Sequence, residues 1–428
     1  MRATISRFAT RIITSKGLRN AMRFRAGLPR VISGRRPVVE YFHQADDPYS
    51  HLLVQLLPQL TARYGLDLKT WIVSPPDDAA APERDRLRAL GLRDASRLAG
   101  AYGLTFPTNA QLPEPEAIAM ANARLSEVVG QAGFAEAAQA CGEALWRGES
   151  AETSPGSMDG AAGHLKAGTD RRLKLGHYLG GMLYFEGEWY WGVDRLHHLE
   201  TRLSGLGLDT HAGTPALAPY RDMQLGPPPV AKRPVVIDFW FSFRSPYTWI
   251  AFPRVRQLAR HYGAELRLRY ILPMIMRGLP VPQIKGRYIT FDTKRESEMV
   301  DLPFGTIVDP VGTGVERAIA VLFRAISLGL GEVFAENTLR ATWAQGVDLT
   351  SDQGLKGVAK ASGLSAGMVD EALADETWRA PAEINRQALF DAGLWGAPSY
   401  CVNGRPAHWG QDRLWALEED LLEELTRP

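Results

Sequence analysis

The chain has 428 residues, enough for two or three domains. Its 45% hydrophobic and 23% charged composition is that of a water-soluble globular protein. No apolar run approaches the roughly 18 residues that a membrane span needs.

The net charge of +1 hides an asymmetry. Residues 1–36 hold ten Lys or Arg and no Asp or Glu, whereas the remainder holds 39 basic and 48 acidic residues. Three readings of this basic N-terminal arm stay open. It is a solvated, poorly ordered extension, a mitochondrial transit peptide, or an amphipathic arm in weak contact with an anionic surface such as lipid or nucleic acid. No apolar core with a small-residue cleavage site marks a secretory signal. The two cysteines, Cys141 and Cys401, form no CxxC pair. A disulfide framework is therefore not expected, and the cytoplasm is the simpler location, with the mitochondrion as alternative.

After the arm, Val38–Phe42 is a β-branched and aromatic run, typical of a buried strand. A Pro-containing turn and a helix follow. Glu116–Trp146 carries apolar residues at helical spacing, and Ser150–Asp170 is a Gly/Ala/Ser-rich stretch that reads as a surface loop. The segment 208–233 is rich in Pro and Gly around Pro227-Pro228-Pro229 and reads as a linker. Val235–Phe241 is the next strand, and Tyr247–Tyr262 a helix closed by Gly263. Leu266, Leu268 and Tyr270 alternate with Arg267 and Arg269 in a further strand. Helical spacing returns over Glu316–Leu328 and Val333–Trp343. Tyr400–Val402 and Ala407–Trp409 flank the turn Asn403-Gly404. Leu414, Leu417, Leu421 and Leu425 form one face of a last helix.

The two halves repeat each other. Pro37-Val38-Val39, Asp47-Pro48-Tyr49 and Tyr64-Gly65 reappear as Pro234-Val235-Val236, Ser245-Pro246-Tyr247 and Tyr262-Gly263. Trp191-Gly192-Val193-Asp194-Arg195-Leu196 reappears as Trp409-Gly410-Gln411-Asp412-Arg413-Leu414. A tandem duplication follows, with domains over 37–207 and 234–428.

Strand, Pro turn, helix, inserted helices, Pro-led hairpin and final helix is the order of a thioredoxin fold with a helical insertion. The chain is therefore expected to be α/β, with two tandem thioredoxin-like domains. The run from Asp238 to Tyr247 resembles the opening of the 2-hydroxychromene-2-carboxylate isomerases and kappa-class glutathione transferases, in the DsbA-like branch of that superfamily. Gly396-Ala397-Pro398-Ser399-Tyr400 and Trp409–Leu414 resemble their ending. The resemblance covers the second copy.

It implies roles for individual residues. Ser245 stands at the helix start where redox relatives hold a nucleophilic cysteine, and as the catalytic residue it would hydrogen-bond the sulfur of glutathione. A thiol with pKa near 8.5 is only about 3% ionised at pH 7. Lowering it by roughly two units, about 2.7 kcal/mol, makes most of it thiolate. The other reading of Ser245 is a plain N-cap before Pro246. The resemblance makes Pro398 cis and turns the backbone of Ala397 toward the tripeptide. Gln411 and Asp412, placed in the first turn of the last helix, would hold the γ-glutamyl end, and Lys285 the glycine carboxylate. Helix capping by Asp412 and a solvated basic loop around Lys285 are the alternatives. Trp240, Phe243, Trp249 and Trp409 are either an apolar wall of the site or core. The nine histidines form no metal-binding spacing, so no metal is expected.

The first copy departs from this pattern. Asp47 stands for Ser245, Val193 for Gln411, and the counterpart of Pro398 falls on Gly181. A carboxylate there repels a thiolate, which leaves that copy silent toward thiols, as a cap, a dimerising half or a regulator of the second copy. Alternatively Asp47, Asp46 and His43 form a different acid–base site. The expected function is a glutathione-dependent isomerase or transferase for a small aromatic electrophile, in a monomer or homodimer with no specific nucleic-acid partner. The rivals are a non-catalytic binding or scaffold protein and, against the absent CxxC, a DsbA-type oxidoreductase.

Overall fold

The computed structural model describes residues 2–149 and 158–428. The chain forms two compact units. The N-terminal unit comprises Asn20–Tyr220 and Pro282–Lys285, and the C-terminal unit comprises Met1–Arg19, Arg221–Val281 and Gly286–Pro428. The division at Tyr220 lies in the stretch 208–233, which carries neither helix nor strand. Among the described residues no helix is long and apolar enough to cross a membrane.

The basic arm is helical, which corrects the expectation of a poorly ordered extension. α1 spans Arg2–Ile13 and α2 spans Lys16–Ser33. Hydroxyls tie α1 to the C-terminal unit. Ser6 Oγ donates to the Ile307 carbonyl at 3.0 Å, and Thr10 Oγ1 accepts from the Ile307 N–H at 3.0 Å.

The N-terminal unit continues with β1 (Val38–His43), α3 (Pro48–Val54), α4 (Leu57–Tyr64), β2 (Asp67–Ile72), α5 (Arg84–Tyr102), α6 (Pro115–Val128), α7 (Phe134–Arg147) and α8 (Met158–Lys174). β3 (Met182–Phe185), β4 (Glu188–Trp191), a single 3₁₀ turn and α9 (Leu196–Gly205) complete it. Pro58 has no N–H to give the carbonyl of Val54, and the helix after β1 is split there into α3 and α4. From Met158 onward the stretch read as a loop is α8, and residues 150–157 lie outside the described ones. Part of the glycine content there serves packing. A Cβ on Gly168 would stand 2.1 Å from the carbonyl oxygen of Ile72, so only glycine lets α8 approach β2 this closely.

In the C-terminal unit β5 (Val236–Phe241), α10 (Pro246–Tyr262) and β6 (Glu265–Tyr270) precede six helices: α11 (Gln283–Met299), α12 (Thr313–Ser327), α13 (Gly331–Arg340), α14 (Asp352–Ala361), α15 (Ala366–Ala374) and α16 (Arg379–Asp391). β7 (Ser399–Val402), β8 (His408–Trp409) and α17 (Leu414–Thr426) follow. Val315, Ala318, Ile319 and Leu322 on α12 are buried at helical spacing, as are Leu414, Leu417, Leu421 and Leu425 on α17. Each such Leu, Ile or Val contributes about 1.5–3 kcal/mol on leaving water. Gln411 and Asp412 form a 3₁₀ turn before α17 rather than its first turn.

Each unit holds one four-stranded mixed sheet, ordered β2-β1-β3-β4 in one and β6-β5-β7-β8 in the other. In each, the first two strands in sequence run parallel and the hairpin pairs antiparallel. The register fixes equivalent positions. Phe42 faces Met182 and Trp240 faces Ser399, so Gly181 and Pro398, one residue earlier, correspond. The N–H of Gly192 donates to the Gly181 carbonyl at 2.8 Å, and that of Gly410 to the Pro398 carbonyl at 2.9 Å.

Candidate active site

In the C-terminal unit the site is built where α10 begins beside the segment leading into β7. Ser245 has extended backbone, and its Oγ accepts from the N–H of Thr248 at 3.2 Å, satisfying one of the orphan donors of the first turn. Pro246 follows at the first helical position, where a missing N–H costs nothing. The same Oγ donates to the Ala397 carbonyl at 3.0 Å. The Ala397–Pro398 peptide is cis. Ser245, Ala397 and Pro398 are thus brought together, and the Gly410 N–H on the Pro398 carbonyl adds the Gln411 turn to the group.

Ser245 and Ala397 are half-buried, and Pro398 is buried. Next to Ser245, Arg244 grips both carboxylate oxygens of Asp309 at 2.8–3.1 Å, so its charge is already balanced. The hydroxyl of Thr248 is buried with no partner among the described residues, as is the indole N–H of Trp395, two residues before Ala397.

Gln411 is buried inside a polar network. Its Oε1 accepts from Arg254 Nη1 at 3.0 Å, and its Nε2 donates to Glu296 at 2.6 Å and to the neighbouring Asp412 carboxylate. Arg254 also pairs with Asp222. Both ends of the Gln411 amide are therefore engaged within the protein. Lys285 lies on α11, not in a loop, and counts with the N-terminal unit, where its ammonium donates to the Ala80 carbonyl at 2.8 Å. Burial holds its pKa below that of a free lysine.

Of the four aromatic residues, Trp240, Phe243 and Trp249 are core. Trp240 donates its indole N–H to the Asn385 carbonyl and Trp249 to that of Pro303. Trp409 alone is half-buried. It meets Trp395 edge-on at 4.5 Å and covers Gly396, where a Cβ would stand 2.1 Å from its ring.

At the matching place in the N-terminal unit, Asp47 caps α3. It accepts from the N–H groups of Tyr49 and Ser50 at 3.4 and 2.9 Å and from Ser50 Oγ at 2.7 Å. Burial pushes its carboxyl up to about 6 against the pull of those bonds. A Cβ on Gly181 would lie 3.0 Å from Asp47 Oδ2, and its φ is +60°. The larger cap and the bare glycine fit each other. His43 turns to the Tyr41 hydroxyl at 2.9 Å, and burial drops its pKa to about 3, so it is neutral. Asp46 accepts from Gln44. No hydrogen bond joins His43 to Asp47 among the described residues, so the acid–base triad is not assembled.

Residues 236–422 match the family profile of the DSBA-like thioredoxin domain. The C-terminal half carries a DSBA-like thioredoxin domain. Two 2-hydroxychromene-2-carboxylate isomerases are similar to the chain. One, from Sphingobium xenophagum, is 27% identical over 197 residues, 44% of this chain and 98% of the relative. The other, from Pseudomonas sp. (strain C18), is 23% identical over 195 residues, 43% of this chain and 89% of the relative. A solved 2-hydroxychromene-2-carboxylate isomerase structure aligns with TM-score 0.37 and 21% identity, covering 44% of this chain and 94% of its own.

Two features of the DSBA-like domain were missed in the sequence. The Arg254–Gln411–Glu296 network has no local signature, because Gln411 lies 157 and 115 residues from its two partners. The other left a signal. The Tyr247 hydroxyl donates to Asp292 at 2.8 Å, and in the N-terminal unit the Tyr49 hydroxyl donates to Asp94 at 2.8 Å. Both residues recur at an offset of 198, so aligning the halves beyond the first helix finds the pair.

Proposed function

We propose that the DSBA-like domain binds a small thiol at Ser245 and uses it to isomerise or conjugate a small aromatic electrophile. The single observation that carries this reading is Ser245 Oγ, 3.0 Å from the Ala397 carbonyl at the start of a 17-residue helix. The helix N-terminus favours a negative charge, and the hydroxyl can donate to it. Serine in this place cannot exchange disulfides. Burial pushes the thiol of Cys401 up to about 11 and raises that of Cys141, so both stay protonated at neutral pH and neither suits an oxidoreductase.

Ser245 has one proton to give. Holding a sulfur anion requires that proton to leave the Ala397 carbonyl and point outward, while Oγ keeps the Thr248 N–H. The family resemblance names the thiol as glutathione, which would supply a nucleophilic sulfur for reversible addition to the substrate. The thiol end fits this chain. The γ-glutamyl and glycine ends find less, since Gln411 is engaged by Arg254, Glu296 and Asp412, and Lys285 by Ala80. That observation favours a second reading, in which the fold is kept as a binding or scaffold module without turnover.

The test is 2-hydroxychromene-2-carboxylate isomerisation by the full chain, with and without glutathione. The wild type should turn over only with glutathione. Ser245→Ala should lower kcat roughly ten- to a hundred-fold, because a hydrogen bond to a charged partner contributes about 1.5–3 kcal/mol. Loss of helicity in the variant is checked by circular dichroism. Turnover of Ser245→Ala at the wild-type rate would refute the assignment.

A further inference from the structure

Helix α2 is amphipathic, but the wrong way round for a helix on a globular protein. Arg23 and Arg30 face the protein. Arg23 Nε donates to Glu188 at 3.0 Å and Arg30 Nε to Glu186 at 2.6 Å. Between them Gly27 is buried, and a Cβ on it would stand 2.9 Å from the Glu186 carboxylate. Arg23, Gly27 and Arg30 follow one another at i, i+4 and i+7, a single helical face. The acceptors sit on the β3–β4 hairpin turn and its edge, where Glu186 has φ +41° and Gly187 +90°. Buried Arg202 pairs with both glutamates from below.

Phe24, Leu28, Val31 and Ile32 take the other face, at i, i+4, i+7 and i+8. Phe24 is 72% exposed, Val31 66% and Ile32 76%. A surface helix normally turns such a stripe to the core. Here ion pairs hold the polar face down and leave the apolar one in solvent. Lys16, Arg25, Arg35 and Arg36 stand exposed on or beside the helix, and residues 1–36 contain no carboxylate side chain.

We propose that the outer face of α2 docks the protein on an anionic lipid surface. The four apolar side chains would enter the headgroup boundary. Arg25, Arg35 and Arg36 would lie at the level of the phosphates, their methylene stems along the apolar layer. Charge selects this occupant. Pairing with a second copy of the chain would bring two carboxylate-free basic faces together, which like-charge repulsion opposes. A nucleic acid would meet the cations but leave the phenylalanine and the β-branched residues in water. The stripe lies outside residues 236–422, so the inference is independent of the reading of Ser245.

The experiment is sedimentation of the full chain with vesicles of phosphatidylcholine alone and of phosphatidylcholine with 30% phosphatidylglycerol (roughly the anionic density of a charged leaflet). The protein should bind the mixed vesicles, at least tenfold more tightly than the neutral ones, and lose that binding in 0.5 M salt. Phe24→Glu with Ile32→Glu should weaken binding at least tenfold and leave the melting temperature unchanged, since both side chains point outward. Arg25→Gln with Arg35→Gln and Arg36→Gln should weaken it on mixed vesicles only. The proposal is overturned if wild type stays in the supernatant, or if the glutamate pair binds as well as wild type. It is also overturned if light scattering shows a dimer that the glutamate pair dissolves, because the face then belongs to a second copy.

Discussion

The two capping residues Ser245 and Asp47 show how one substitution changes what a helix start can do. Ser245 gives its proton to the Ala397 carbonyl, whereas Asp47 fills the same place with a carboxyl that accepts three hydrogen bonds from Tyr49 and Ser50. Burial raises the Asp47 pKa from 3.8 to about 6. Between these values the folded protein binds more protons than the unfolded chain, so this group's contribution to stability is full below pH 3.8 and is lost as pH rises through 6. Two units correspond to about 3 kcal/mol. Asp47→Asn, which carries no charge at either pH, should therefore gain on wild type by a few degrees in melting temperature between pH 4 and pH 8. A difference that is flat with pH would show that Asp47 stays ionised throughout. The divergence of Asp47 from Ser245 and of Gly181 from Pro398 was legible in the repeat. Their physical link was not, because 3.0 Å between Asp47 Oδ2 and a Cβ on residue 181 is a statement about two segments 134 residues apart.

Elements were legible where period and punctuation agreed. β6, α10 and α17 lie where alternation, Gly263 and the leucine face put them, because each signal is local. Gly65 and Gly263 both close their helices with positive φ, at +59° and +68°. The misreadings share a cause. α8 looked like a loop because its glycines were taken for flexibility, when Gly168 serves close approach to β2. Lys285 looked like a loop residue, when it belongs to the first turn of α11. Gln411 looked available because nothing nearby in sequence announces Arg254 or Glu296. Its amide joins α10, α11 and the turn before α17. Gln411→Leu would take one hydrogen bond from a buried guanidinium and one from a buried carboxylate. It should cost about 2–4 kcal/mol by denaturant unfolding. A cost below 1 kcal/mol would mean that the amide is replaceable by water and open to a ligand.

At the scale of the whole chain, two units carry sheets of the same order, with Tyr–Asp bonds at matching positions and different residues at the helix cap. Thiol binding is expected in the C-terminal unit alone. Calorimetric titration of glutathione into the full chain, its Ser245→Ala variant and its Asp47→Ala variant tests that placement most directly. Wild type and Asp47→Ala should bind equally, at millimolar affinity or tighter. Ser245→Ala should bind more weakly, by less than its loss in kcat, because contacts along the rest of the ligand remain. Absence of binding to wild type would leave a scaffold protein in place of an enzyme. A loss of binding in Asp47→Ala, with Ser245→Ala unaffected, would contradict the account by placing the site in the other half of the chain.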